Sequence, residues 1–281
     1  MRSNLITFVL FMFNEEKRIE RAVRNFLPYG QVLVVDNYSS DRTVEIAKAL
    51  GADVLQHKNP GWVEDENTTS VVKEYVKTPW IYWGFSDEIV DAPTMEAMFE
   101  AIESGTCSIV NIARKNYYYG KFTHDAYQNI QSRAFIKEAI DFRENKIHHF
   151  GKHTVPASEV TTLNPKKYYI HHFISNTAKS YLSSIDRYTD IESRHTKPQH
   201  PLKMILSITK SFILHYFIRG GIRAGRAGFY LEIQMAFYHA LLTMKAFEIS
   251  SNLNSDAIEN INNKSRDKIL FGIEKKMEYK K

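Results

Sequence analysis

The chain has a single cysteine in 281 residues, Cys107, so no internal disulfide can form and a reducing, cytosolic setting is expected. One thiol also argues against a structural zinc site. No apolar run reaches the roughly 18 residues needed to cross a bilayer. Lys203, Lys210 and His215 interrupt the longest candidate. Glycine is missing where a phosphate loop would need it: neither a GxGxxG turn nor a Walker-type loop follows the first apolar segment, which disfavours a dinucleotide fold or a P-loop ATPase. Internal repeats and low-complexity segments are absent. The net charge of +5 is modest, and the basic residues form no continuous helical stripe beside an aromatic platform, so nucleic-acid binding is not expected. Residues 5–13 behind Arg2 look like the apolar part of a signal peptide, but Asn14-Glu15-Glu16 stand where a small-residue cleavage site belongs. A core strand is the better reading. The composition that remains, 43% hydrophobic and 25% charged, suffices for one large core with an added C-terminal module.

Residues 5–41 carry the most information, because they read as strand, helix and strand with carboxylates at both strand exits. After Asn14-Glu15-Glu16, the apolar positions Ile19, Ala22, Val23 and Phe26 recur at helical spacing, and Pro28 and Gly30 close that helix. Residues 32–35 form a short apolar run suited to a parallel strand covered on both faces. That run delivers Asp36 to its carboxyl end, where open α/β sheets bind ligands. Asp41 can cap the next helix, which ends at Gly51. A third strand starts at 53–55, a helical stretch after Asn67 runs through Val72 and Tyr75 and ends near Thr78-Pro79, and residues 80–84 form a fourth strand ahead of Ser86-Asp87-Glu88. A helix over 94–103 and a strand over 107–113 follow, leading into the basic and aromatic run Arg114–Tyr119.

The FNEE, VVDNYSSDRT and WIYWGFSDE segments resemble inverting glycosyltransferases of family 2, among them enzymes of lipopolysaccharide-core and polysaccharide synthesis, over roughly the first 110 residues. The resemblance implies a GT-A fold, an α/β sheet flanked by helices, here with a C-terminal helical module. It implies a nucleotide-sugar donor, and it makes Asn14, Glu15 and Asp36 donor-binding. A carboxylate is chemically suited to that role, since it accepts hydrogen bonds from a uracil N–H or from ribose hydroxyls. Without a glycine-rich loop, the diphosphate needs another counter-charge, and a divalent metal, Mg2+ or Mn2+, is the expected cofactor. Similar enzymes carry Asp-x-Asp after the fourth strand. Here the triplet is Phe85-Ser86-Asp87, which leaves Asp87 as the metal ligand, with Ser86 and Glu88 as supporting or ribose-side groups. Asn67 matches a donor-side position, although Glu66 replaces the basic residue that usually precedes it, and Asp65 is a neighbouring candidate. His172 falls where the family often places a histidine near the metal or diphosphate.

Inversion requires a general base to take the acceptor proton. The family's His-Glu pair has its nearest match at His148-His149, with His149 in place of the acid; Asp125, Asp141 and Glu144 are the other candidates, and the order among the four stays open. Two rival readings remain. A sugar-1-phosphate nucleotidyltransferase would need a glycine-rich basic loop after the first strand, which Asn14-Glu15-Glu16 does not supply. A catalytically degenerate nucleotide-sugar-binding or scaffold protein would explain why both motifs are incomplete.

Residues 1–174 are assigned to the catalytic domain and 175–281 to the helical module. Helices are expected over 178–195, 202–218 and 229–247, the last two joined by a connector rich in Arg and Gly. Arg219, Arg223 and Arg226 suit lipid phosphates or a diphosphate-linked acceptor, which points to a peripheral position on the inner face of the membrane. A hairpin packed on the catalytic domain, with a homo-oligomer interface, fits the same pattern. The expected partners are therefore a nucleotide-sugar donor, a saccharide or lipid-linked acceptor, and either a membrane surface or a second copy.

Overall fold

The computed structural model describes residues 4–59, 65–143, 145, 150–174 and 177–278. It falls into two compact units, one of Met1–Thr177 with Ile213–Glu232, the other of Ala178–Phe212 with Ile233–Lys281. Part of the C-terminal region thus folds with the first unit.

In the first unit, β1 (Ile6–Met12), α1 (Ile19–Phe26), β2 (Gln31–Asp36), α2 (Thr43–Ala49), β3 (Asp53–Gln56), α3 (Glu66–Tyr75) and β4 (Trp80–Phe85) follow the order expected from the sequence. β1 lies between β2 and β4, with β3 outside β2, and all of these pairs are parallel. Alternation along the strands builds two cores. Phe8, Leu10, Val32, Val34 and Tyr82 face one, against the buried stripe Ile19, Ala22, Val23 and Phe26 of α1; Val9, Leu33, Val35, Ile81 and Trp83 face the other, with Val72 of α3. Phe8 and Phe26 stack with ring centroids 4.8 Å apart.

Beyond β4 come β5 (Glu88–Val90), α4 (Ala92–Glu103), β6 (Ile109–Tyr118), β7 (Lys121–Phe122), β8 (Asn129–Ile136), β9 (Ile140–Asp141), β10 (Lys152–His153), β11 (Val160–Thr162) and β12 (Tyr169–Ile174). The main sheet runs β3-β2-β1-β4-β8-β6-β12-β5, with β7 and β11 also on β6, while β9 and β10 form a separate pair. β8 enters antiparallel to β4 and β6, which makes the sheet mixed. The strand expected over 107–113 extends to Tyr118, because β8 pairs its first half and β12 its second. β5 has no counterpart in the sequence reading; three residues carry too little periodicity to announce a strand.

The first unit closes with a π-helical turn, Ile213–Ile218, and a 3-10 turn, Gly221–Ala224. The helix expected over 202–218 is therefore α6 (Pro201–Phe212) followed by that wider turn. Glu232 is buried there; its Oε2 accepts a 2.6 Å bond from the Tyr127 hydroxyl, while Oε1 has no partner among the described residues. Burial pushes its carboxyl up to about 7, against the opposing effect of that hydrogen bond. The folded state therefore holds this proton more tightly than the unfolded chain. The stabilisation is complete below about pH 4.5 and is lost as pH rises through about 7. Glu232→Gln is expected to abolish that dependence, so that thermal melts show the variant gaining on wild type from pH 5 to pH 8 by roughly 3 kcal/mol at most.

The second unit contains α5 (Ala178–Ser193), α6, most of α7 (Arg226–Ser250) and α8 (Ser255–Glu278). Lys245 pairs with Asp186 at 2.7 Å and Asp190 at 2.5 Å, Tyr181 donates to the Gln234 carbonyl, and Tyr238 donates to Glu192. No helix among the described residues is long and apolar enough to cross a membrane.

Candidate active site

The parallel strands β1, β2 and β4 end together, and their exits are tied into one cluster. Asn14 follows β1 in the left-handed region at φ 55°, a conformation that asparagine tolerates better than most residues. Its N–H donates to Ser39 Oγ at 2.8 Å, and its Oδ1 accepts from Ser40 N at 2.8 Å, so the loops after β1 and β2 hold each other. The Glu15 N–H donates to Thr43 Oγ1 at 2.7 Å, and Asp41 accepts the N–H groups of Glu16 and Thr43.

Asp36 is fully buried beneath this loop. Its carboxylate accepts from Ser39 N at 3.0 Å and from Gln56 Nε2 at 3.4 Å. A buried carboxylate requires such donors, and here the turn after β2 and the end of β3 provide them. Asp36 thereby also shapes the loop that carries Ser39 and Asn14.

Glu15 bonds the Arg18 guanidinium at 2.6 Å and hydrogen-bonds Ser86. Burial and the nearby Asp87 raise its pKa, with Arg18 and Ser86 acting the other way. Arg18 also lies 3.9 Å from Asp87. Asp87 Oδ2 stands 3.2 Å from His172 Nε2, and His172 Nδ1 is 2.7 Å from Asn116 Oδ1. Burial works to raise the Asp87 pKa, but His172, Arg18 and Arg114 together carry it down to about 2. Asn116 Nδ2 donates to the Tyr127 carbonyl at 3.2 Å, which fixes Oδ1 as the acceptor and puts the imidazole proton on Nδ1. His172 Nε2 then turns a lone pair toward the Asp87 carboxylate. Two acceptors at that distance need a positive charge between them, either a second imidazole proton or a cation.

Phe85, in the first acidic position of the motif, packs on Phe11 and lies under the Arg133 guanidinium. Glu88 is fully buried on the same side as His172, with which it is in register across β5 and β12. Its Oε1 takes a 2.5 Å bond from Arg133 and lies 3.5 Å from Arg114, and Arg133 also donates to the Trp83 carbonyl at 2.8 Å. Glu88 thus lies buried between two arginines, the arrangement of a supporting group.

Asp125 is not brought to the cluster. Its carboxylate pairs with Lys115 Nζ at 3.1 Å, and Lys115 and Asn116, consecutive on β6, face opposite sides of the sheet. Asp141 is held at about 2 by hydrogen bonds from Arg143, which leaves it a weak base. His148, His149 and Glu144 lie outside the described residues. Asp65 caps α3 by accepting the Thr68 N–H at 2.8 Å, and Asn67, exposed in the first turn, makes no side-chain bond to the cluster among the described residues. Sequence reasoning missed Arg18, Asn116, Arg114 and Arg133. Arg18 had a visible signal, its i, i+3 spacing from Glu15 on a helical segment. The others depend on strand register.

The sequence pattern of glycosyl transferase family 2 matches residues 7–187, well over half of the chain. The chain belongs to this family. As a family 2 glycosyltransferase it is 31% identical over 86 residues to the SPbeta prophage-derived glycosyltransferase SunS of Bacillus subtilis (strain 168); the match covers 30% of this chain and 20% of that protein. The chain thus spans about a fifth of the length of the curated relatives it matches. Among solved structures, S. aureus TarS 1-349 in complex with UDP-GlcNAc aligns with a TM-score of 0.44 and 11% identity, over 89% of this chain and 93% of that one. The mannosyltransferase PcManGT from Pyrobaculum calidifontis, in complex with GDP-Man and Mn2+, aligns with a TM-score of 0.47 and 11% identity, over 86% of each chain. The mixed sheet flanked by helices, with helices following it, is the GT-A architecture expected for a family 2 glycosyltransferase.

Proposed function

We propose that this family 2 glycosyltransferase moves a sugar from a UDP-sugar to a hydroxyl of a saccharide or lipid-linked saccharide, with inversion, in cell-surface polysaccharide or lipopolysaccharide synthesis at the inner face of the membrane. The observation that carries the reading is the Asp87–His172 pair set beside Glu15 at the carboxyl ends of the parallel strands. Glu15 and the Asn14 loop are the donor-side groups, and Asp36 keeps that loop in place.

Among the described residues no group of three or more His, Cys, Asp or Glu side chains converges, and Asp87 and His172 are the pair of donors that they set side by side at this site. That set fits a hard divalent ion bound mainly by phosphate oxygens and water. Asp87 and His172 would hold a Mg2+ or Mn2+ ion whose charge stabilises the departing diphosphate. The acceptor oxygen attacks the anomeric carbon, the bond from that carbon to the β-phosphate oxygen breaks, and the acceptor proton passes to a base. We assign the base to His149, since a neutral imidazole accepts a proton near pH 7.

Turnover tests this reading directly. Incubation with UDP-sugars and Mn2+ should release UDP, and proton NMR of the product should show an inverted anomeric configuration; a retained configuration contradicts the mechanism. His149→Ala should lower kcat by about 10²–10⁴-fold, whereas Asp125→Ala should leave it within a few-fold. Asn116→Ala, which frees the His172 ring, is expected to weaken Mn2+ binding about 10–100-fold in a calorimetric titration, with little change in thermal stability.

A further inference from the structure

On the other face of β6, away from His172, the first unit contains a cleft of about 280 Å³ lined by Lys115, His124, Asp125, Arg219, Arg223 and Ile218. Lys115 is only 9% exposed; its ammonium lies 4.3 Å from the centre of the Tyr169 ring and pairs with Asp125, the one carboxylate in the lining. Arg219 and Arg223 have no side-chain hydrogen bond or ion pair among the described residues.

The backbone places these two arginines. The Asp125 N–H donates to the Arg219 carbonyl at 3.2 Å, Gly220 turns the chain at φ 85°, and the Arg223 N–H donates to the Gly220 carbonyl at 3.0 Å. A non-glycine residue would be strained at that φ. Three permanent cations thus face a single carboxylate across a small cleft, a surplus of two positive charges. A carboxylate ligand would neutralise half of that surplus; a phosphate dianion would neutralise all of it and offers oxygens to two guanidinium forks and an ammonium.

We propose that this cleft binds a phosphate group, either as a soluble phosphate or phosphate ester or as a lipid headgroup. Ile218 on the rim and the nearby Ile222 are both exposed, which leaves room for an apolar attachment. The inference does not depend on the sugar-transfer reading, since it uses none of the Asp87 cluster.

The test uses the full chain, an Arg219→Gln/Arg223→Gln variant, and Asp87→Ala as a control that leaves the cleft untouched. Both arginines are exposed, so folding of the double variant is not at risk, and a thermal melt checks this. Inorganic phosphate is titrated by calorimetry in a phosphate-free buffer, and vesicles of phosphatidylglycerol and phosphatidylcholine are used in flotation. Saturable phosphate binding, shared by wild type and Asp87→Ala and weakened at least about tenfold in the double variant, supports a soluble phosphate. Flotation with phosphatidylglycerol vesicles that drops in the double variant supports a lipid headgroup. Absence of both, or binding that the double variant leaves unchanged, overturns the proposal.

Discussion

Asp87→Ala is expected to lower turnover by about three orders of magnitude, equivalent to ~4 kcal/mol of transition-state stabilisation. In the proposed reaction the leaving group is a diphosphate whose negative charge grows as its bond to the sugar breaks, and Asp87 is the carboxylate placed against His172 and near Arg18. Removing it takes away the carboxylate that His172 and Arg18 face. The substitution should preserve the fold, because the Asp87 side chain is about a quarter exposed and takes no part in the apolar cores. Steady-state kinetics with the wild-type donor supplies the check, and near-normal kcat in the variant would mean that leaving-group stabilisation comes from elsewhere.

The second large effect is on stability. Arg133→Ala should destabilise the protein by about 3–5 kcal/mol, lowering the melting midpoint by roughly 10 °C, because it leaves the fully buried Glu88 carboxylate without its closest counter-charge. Arg114 at 3.5 Å compensates only in part, and the Trp83 carbonyl loses its donor as well. A double variant, Glu88→Gln with Arg133→Met, removes both charges while keeping the volume of the stems. It should recover most of the lost stability, since a buried ion pair owes more to avoiding an orphaned charge than to net attraction. Thermal melts of Glu88→Gln, Arg133→Met and the double variant measure the coupling. Additive losses would show that Arg133 and Glu88 act independently.

The first half of the fold was legible because its strands and helices are long enough for pattern to decide. In β1, β2 and α1 the apolar residues fall on the faces that the two cores require, and the chain order follows the expected alternation of strands and helices. The clustering of Asn14, Glu15, Ser86 and Asp87 followed from where β1 and β4 end. What the sequence hid was pairing over distance. Nothing local to Arg133 announces that it meets Glu88, 45 positions away, and nothing near Asn116 shows that β12 will set His172 beside it, 56 positions away. The face of β6 on which Asp125 meets Lys115 was hidden in the same way. At Asp36 the residue type at a strand end was visible, but the donors that hold its carboxylate, the Ser39 N–H after β2 and the Gln56 amide on β3, were not. β5 and α8 were too short or too weakly patterned to stand out, and the helix over 202–218 hid its change to a π turn at Ile213, since one extra residue per turn barely alters the apolar spacing.

The central claim, that Asp87 anchors a metal-assisted nucleotide site, is tested most directly by calorimetric titration of UDP into the protein with and without Mn2+, on wild type and on Asp87→Ala. The account predicts UDP binding that strengthens with Mn2+ in wild type and loses that enhancement in the variant. UDP binding that is identical with and without Mn2+, or unchanged by the substitution, would contradict it.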